Sequence, residues 1–98
     1  MSKTNLNQRA ATLPEAWRST VIGRAAGANV KVLRMDGQAY PNEVHSFDEA
    51  LLVLEGQMNL DFAGEVVTVG AGEVYIVPAG VPHAVAPGSA GTLVIIDQ

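Results

Sequence analysis

The fold is decided by residues 57–77, which read QMNLDFAGEVVTVGAGEVYIV. From Gln57 to Phe62, polar and apolar side chains alternate, as they do on a strand that buries one face. Glycine-containing turns at 63–65 and 70–72 separate this strand from two further runs rich in valine. Short strands joined by such corners are typical of a β-sandwich or barrel. The stretch therefore predicts an all-β fold.

Further strands are predicted on both sides of this stretch. They are Val30–Met35, Ala50–Glu55 and Thr92–Ile96, each apolar or β-branched, with a glycine at or near one end. Gly56 is expected to stop the second of these strands before the alternating run begins.

The chain is expected to form a single domain, because 98 residues leave room for one core. Residues 1–20 are polar and mixed, and within them Pro14–Arg18 predicts one helical turn with proline at its first position. We predict a barrel domain over residues 21–98 and a short N-terminal arm over residues 1–20.

The composition excludes several classes of protein. The absence of cysteine rules out a disulfide framework and a thiol nucleophile. Aromatic residues make up only 5% of the chain and the pI is about 4.9, which argues against nucleic acid as a partner. No apolar run approaches the length that crosses a bilayer, so no membrane partner is expected. The N-terminus lacks the apolar core of a secretory signal, and a cytoplasmic location is expected.

The two histidines point to a metal site. Glu43 and His45 are two residues apart on a predicted strand, so their side chains share a face. A short turn can bring Glu49 back towards His45, and His83 ends a loop stiffened by proline and glycine. If the sheet closes into a barrel, the four side chains can converge. Two neutral imidazoles and two carboxylates would neutralise a divalent cation.

The spacing of these residues resembles the two cupin motifs. Gly37, Glu43, His45, Glu49 and Gly56 follow the spacing of the first motif. The second motif is matched by a set of similar type, namely Gly72, Pro78, Gly80, His83 and Pro87. Glu43 stands where the motif usually has a histidine, and Pro87 where it usually has asparagine. The resemblance implies a cupin double-stranded β-helix, also called a jelly-roll barrel.

The resemblance also implies one divalent metal ion, with His45, Glu49 and His83 as ligands. Glu43 falls on the usual fourth position, where it is either a ligand or a base beside a metal-bound water. A donor set with more carboxylate is harder, so Fe²⁺ or Mn²⁺ is favoured, and Zn²⁺ or Ni²⁺ is possible.

Three functions are compatible with such a protein. The first is a non-haem-iron dioxygenase that acts on a small organic molecule, and the second is a metal-assisted isomerase or lyase. The third is a non-enzymatic module that binds or senses a small ligand. Tyr40 could present a hydroxyl group to the substrate, and Arg34 could hold a substrate carboxylate if its side chain points inward.

A homodimer is predicted from the charge distribution and from the habit of cupins to exchange N-terminal strands. All six basic residues precede Met35, whereas nine of the ten acidic residues follow it. The basic first third is therefore expected to pair with acidic barrel surface, including that of a second copy. Trp17, Val21 and Ile22 supply an apolar anchor for the exchange.

Overall fold

The computed structural model describes residues 3–98, which form one short helix and eight β-strands. In chain order the elements are α1 (Leu6–Ala11), β1 (Thr20–Ala25), β2 (Ala28–Asp36), β3 (Tyr40–Glu43), β4 (Glu49–Phe62), β5 (Glu65–Gly70), β6 (Val74–Val77), β7 (His83–Val85) and β8 (Ala90–Asp97). The all-β prediction is confirmed. Across these residues we find no helix that is long and apolar enough to cross a membrane.

Strand β4 is the centre of a single antiparallel sheet with the order β1-β2-β8-β4-β7-β3. Along one of its edges β4 pairs with β8 and β7, and along the other it pairs with β6 and β5. Every one of these pairings is antiparallel, and the sheet curls so that one face is turned inward. Because side chains alternate along a strand, this register decides which residues of β4 line the interior.

The inner face of the sheet carries the larger apolar core. Its buried members are Leu33, Met35, Leu51, Val53, Met58, Leu60, Val69, Val77 and Leu93. The alternating run predicted from the sequence holds, since Met58 and Leu60 are fully buried and Phe62 packs against the same cluster.

A second apolar cluster lies on the outer face and explains where the N-terminal arm goes. Ala10 of α1 is buried against Val32 and Val94, and Leu6 and Leu13 pack around them. The side chain of Arg34 fixes the segment further by donating a hydrogen bond to the carbonyl of Leu13. Residues 6–13 of the arm therefore lie over the outer face of their own sheet. The predicted exchange of the arm between two copies concerns a second chain and stays a prediction.

The helix of the arm lies earlier in the chain than the sequence indicated. Pro14–Arg18 holds only bends and a turn, whereas α1 begins after Asn5, whose side chain caps it by accepting from the backbone N–H of Gln8. Pro14–Arg18 forms no helical turn because the backbone of Trp17 is left-handed and its N–H donates to the carbonyl of Arg34 on β2. Residues 1 and 2 of the predicted arm lie outside the described residues.

The predicted stop at Gly56 is wrong, because β4 continues through this residue to Phe62, with a shift in its register against β8 between Val53 and Glu55. Gly56 lies opposite Gly91 of β8, with φ angles of 80° and 117°. A Cβ atom on Gly56 would lie 1.9 Å from the carbonyl oxygen of Ala90, and one on Gly91 would lie 1.9 Å from that of Glu55. Two facing glycines thus allow β4 and β8 to approach more closely than any side chain permits.

We expect Gly56→Ala to lower the free energy of unfolding by about 3 kcal/mol or more, because the left-handed backbone and the clash both act against it. Gly23→Ala is the matched control, since a Cβ atom there meets nothing within 4 Å and its φ is not positive. This control should change stability by less than about 1 kcal/mol. Urea unfolding of both variants measures the difference, and equal losses would contradict the close approach of β4 and β8.

Candidate metal centre

Four side chains meet at one end of the inward face, and separate elements place them there. Glu43 ends β3 and lies opposite His83, the first residue of β7. Glu49 begins β4, and His45 lies in the loop between β3 and β4. The structure thus brings together the four residues that the sequence marked as a possible metal site.

The distances define a compact cluster. Nε2 of His45 lies 3.5 Å from Oε2 of Glu43 and 3.7 Å from Oε2 of Glu49. Nε2 of His83 lies 3.2 Å from Oε1 of Glu49. One ligand atom from each of Glu43, His45 and His83 lies within 4.8 Å of the other two. Glu49 stands beside these three residues and directs one oxygen towards each imidazole.

The hydrogen bond on the far side of His83 fixes its tautomer. Nδ1 of His83 lies 3.0 Å from the carbonyl oxygen of Val81. A carbonyl oxygen only accepts, so Nδ1 carries a proton and Nε2 is the ring nitrogen turned towards the cluster, where it can bind a metal ion from the neutral ring. Histidines that bind metals are commonly oriented by such a contact to a backbone carbonyl.

The other imidazole leaves a polar atom without a partner. Nε2 of His45 is buried and has no hydrogen-bond partner within residues 3–98. An unsatisfied buried polar atom costs about 1–3 kcal/mol. A cation placed among the two Nε2 lone pairs and the carboxylate oxygens would satisfy all of these groups. The residues present therefore fit a bound metal ion.

Glu49 is the most deeply buried carboxylate of the cluster, with 6% of its surface exposed. This burial raises the pKa of Glu49 above its ordinary value. His45 and His83 act in the opposite direction when they are protonated, and the neighbouring Glu43 carboxylate raises the pKa further. Without a cation, the buried position of Glu49 disfavours the ionised form of its carboxyl group.

Contacts in the surrounding loops hold the cluster in shape. The backbone N–H of Gly80 donates to the carbonyl of His45 over 2.8 Å, which ties the loop before His83 to the loop that carries His45. Asp48 accepts from the backbone N–H of Ala79. The ring of Phe47 stacks on His45 with their centroids 4.9 Å apart. Asp48 and Phe47 thus support the site from outside.

A cavity of about 180 Å³ opens beside the cluster, and Glu43, His45, Glu49 and His83 form part of its wall. Tyr40, predicted as a substrate contact, also lines it. Arg34 does not, because Leu33 and Met35 take the inward positions on β2 and Arg34 faces the N-terminal segment.

Two further residues of the wall were not assigned to the site from the sequence. Trp17 was interpreted as a dimer anchor, yet its ring lines the cavity. Lys31 is the basic residue of β2 that faces inward. It lies on the same face of β2 as Leu33 and Met35.

The fold and the site can now be compared with known proteins. The family model of the cupin domain matches residues 32–97, two thirds of the chain. The chain belongs to the cupin domain family. The predicted jelly-roll barrel is confirmed, and the motif residues at 43–49 and at 83 lie inside the matched region. None of the curated proteins matches the chain significantly by sequence.

Solved structures of similar cupins cover nearly the whole chain. A cupin-2 domain containing protein from Shewanella frigidimarina NCIMB 400 has 25% identity and a TM-score of 0.87, with 97% of this chain and 93% of that chain covered. Protein NMB1881 from Neisseria meningitidis has 31% identity and a TM-score of 0.84, with 99% of both chains covered. A Ralstonia eutropha JMP134 protein, provisionally named a mannose-6-phosphate isomerase, has 19% identity and a TM-score of 0.83, with 99% of this chain and 97% of that chain covered.

The raised pKa of Glu49 predicts how the metal-free protein responds to pH. A carboxyl group with a raised pKa in the folded state stabilises the fold below its unfolded pKa, and this contribution is lost as pH rises through the folded pKa. In the presence of a chelator, the free energy of unfolding should therefore fall as pH rises above 4.5, the ordinary value for this group. Glu49→Gln should remove that part of the slope.

Glu55→Gln is the control, because Glu55 lies on the same strand with an exposed side chain. Urea unfolding of the wild-type protein and the two variants between pH 4.5 and pH 8 gives the change in the free energy of unfolding with pH for each. The lower limit is the ordinary pKa of a glutamate. The explanation by burial fails if Glu49→Gln and Glu55→Gln alter the pH dependence equally.

Proposed function

We propose that the protein binds one divalent metal ion through His45, His83, Glu49 and Glu43, and that this ion takes part in the chemistry of a small organic molecule in the cavity. The observation that carries the proposal is the convergence of two imidazole Nε2 lone pairs on two carboxylates, with Nε2 of His45 buried and unpartnered.

Iron(II) and manganese(II) suit this donor set best. Two carboxylates make the site harder than an all-histidine set, and their two negative charges balance a divalent ion. Zinc and nickel also accept imidazole and carboxylate ligands, so they are possible occupants under metal-limited conditions. Elemental analysis of the purified protein measures which of these ions is bound.

The reaction that we favour is an oxygen-dependent oxidation at iron. His45, His83 and Glu49 provide two histidines and one carboxylate, the composition found in non-haem iron oxygenases, and Glu43 lies beside them. Iron(II) bound there would supply the activation of oxygen. The chain contributes the two imidazoles, the buried carboxylate of Glu49 and a cavity whose wall is half apolar, against which an organic substrate can pack.

A metal-assisted isomerase or lyase is the second candidate, and the exposure of Glu43 favours it. The side chain of Glu43 is 41% exposed, against 8% for that of Glu49. A carboxylate at the open side of the cluster can take a proton from a substrate carbon and return it elsewhere, which is the work of a general base. In this version Glu43 moves the proton and the other three residues hold the ion.

The metal content of the untagged protein, purified without chelator, tests the proposal. We expect one divalent ion per chain, and we expect His83→Ala to weaken its binding by more than about 100-fold, since even supporting residues cost 10–100-fold. Glu55→Gln is the control, because it removes an exposed carboxylate of β4 that is not part of the cluster and should keep the metal. A folded wild-type protein that binds no divalent ion would refute the proposal.

Two substitutions at Glu43 separate its possible roles. If Glu43 is a ligand, Glu43→Gln and Glu43→Ala should both lower metal affinity by about 10-fold or more. If it is a base, both variants should retain the metal and lose turnover. Oxygen uptake by the iron-loaded protein distinguishes the oxygenase from the isomerase or lyase, and a metal-loaded protein that only binds ligands would be a non-enzymatic module.

A further inference from the structure

We propose that the cavity accepts a small planar organic acid, whose flat body lies against Trp17 and Tyr40 and whose anionic group contacts Lys31. This inference deepens the proposed function, on which it rests, because it names the chemical class of the molecule that lies beside the metal. Three observations carry it, namely the size of the cavity, the aromatic pair at one end and the inward ammonium group at the other.

The size of the cavity limits the ligand to about one ring. Its volume is about 180 Å³. An apolar protein cavity of roughly 150 Å³ holds a benzene molecule, so this one has space for a single six-membered ring with a small substituent. Half of the lining residues belong to the inner core or pack against it, including Leu33, Met58, Leu60 and Leu93. A ring-sized apolar body is therefore better accommodated than a polyhydroxylated one.

An aromatic pair lies at one end of this wall. The rings of Trp17 and Tyr40 have centroids 5.5 Å apart and are tilted by 32°. The indole N–H is already engaged, since it donates to Oδ1 of Asp36 over 2.7 Å. Trp17 thus has no polar group left to offer, and its ring contributes an apolar, polarisable surface to the cavity. Planar unsaturated groups pack against such rings more favourably than puckered ones do.

The backbone of Trp17 is held in a conformation that its side chain does not favour. Its φ angle is 66°, in the left-handed region that residues other than glycine rarely adopt. A backbone hydrogen bond of 2.9 Å to the carbonyl of Arg34 keeps it there. A conformation of this kind persists only where the surrounding structure fixes the residue, so the position of the indole ring is determined by these contacts. Trp17 also lies outside residues 32–97, so the N-terminal segment adds this wall to the family barrel.

A cationic group lies at the other end of the cavity. The ammonium group of Lys31 forms an ion pair of 2.8 Å with Asp97, and both side chains line the cavity. Asn29 donates a hydrogen bond to the second oxygen of Asp97, which holds that carboxylate in place. An ammonium group has three donors, and within residues 3–98 Lys31 uses one of them. The remaining donors are available to an anionic group in the cavity.

The strand register places Lys31 at the same end as the metal cluster. Ala50 of β4 lies opposite Ile96 of β8, so Glu49 and Asp97 are the next facing residues. The backbone N–H of Trp17 donates a hydrogen bond to the carbonyl of Arg34. Arg34 lies three residues further along β2 than Lys31, a distance of about 10 Å at the usual rise of a strand. This span suits one ring with one carboxylate. The polar head would meet Lys31 and the cluster, and the ring would meet Trp17 and Tyr40.

Three probe molecules test the inference on the manganese-loaded protein: benzoate, cyclohexanecarboxylate and benzyl alcohol. Trp17 is the sole tryptophan of the sequence, so its fluorescence reports directly on the cavity. Benzoate should change this fluorescence and bind about tenfold more tightly than cyclohexanecarboxylate, which has the charge without the planar ring. It should also bind at least about tenfold more tightly than benzyl alcohol, which has the ring without the charge.

Binding of the probes to variants, measured by calorimetry, shows which residue is responsible for the preference for a planar ring and which for the preference for a negative charge. Trp17→Leu should abolish the preference for benzoate over cyclohexanecarboxylate, and Trp17→Phe, which keeps a ring, should restore most of it. The double variant Lys31→Gln/Asp97→Asn removes both members of the ion pair without leaving a buried charge, and it should abolish the preference for benzoate over benzyl alcohol. Arg9→Gln, which removes an exposed cation on α1, is the control and should leave binding unchanged.

The outcomes separate this inference from the proposed function. If manganese binds and benzoate does not bind, or binds no better than the two other probes, the inference is overturned while the metal site stands. If benzoate binds with both preferences and manganese fails to bind, the ligand class is supported and the proposed metal function is lost. Preferences that persist in the Trp17→Leu and Lys31→Gln/Asp97→Asn variants would also overturn the inference.

Discussion

The pairing of β4 with four other strands is the constraint on which both the core and the site depend. Inward and outward side chains alternate along β4 on each side of a register shift near Val53 and Glu55, so that Glu49 and Leu51 point inward before it and Leu60 points inward after it. A slip of one residue would turn the core outward and remove Glu49 from the cluster. The facing glycines Gly56 and Gly91 allow β4 and β8 to stay in contact where a side chain on either strand would separate them. Stability and site geometry therefore share one register.

The cluster at the end of this sheet contributes little to the stability of the fold by itself. It places Glu49 in a buried position that disfavours its charge, and it leaves Nε2 of His45 without a hydrogen-bond partner among the described residues. A barrel selected only for stability would carry apolar side chains there, because well-packed apolar groups usually outperform buried ionisable ones. A divalent cation resolves both costs, since it favours the ionised carboxylate and accepts the imidazole lone pairs. The departure from the usual motif at Glu43 makes this site more anionic without breaking its geometry.

The all-β fold and the four residues of the cluster could be predicted from the sequence, and the predictions that failed did so for physical reasons. The four clustered residues could be found because strand alternation, a short turn and a rigid loop bring them together. The inward residue of β2 could not be chosen, because both faces of this strand are apolar: Leu33 faces the inner core, and Val32 is covered on the outside by α1. Alternation alone therefore did not distinguish Arg34 from Lys31. The role of Trp17 was missed because its position depends on a left-handed backbone and on contacts with Arg34 and Asp36, which are distant in sequence.

The central claim is that these four side chains form a metal site inside a cavity completed by the N-terminal segment. The most direct measurement is a crystal structure of the protein grown with manganese, with anomalous scattering used to locate the ion. The account predicts one strong peak at roughly 2.0–2.3 Å from Nε2 of His45, Nε2 of His83 and an oxygen of Glu49, the range of ordinary metal–ligand distances. A structure in which His45 and His83 hydrogen-bond only to water or protein, with manganese elsewhere or absent, would contradict it.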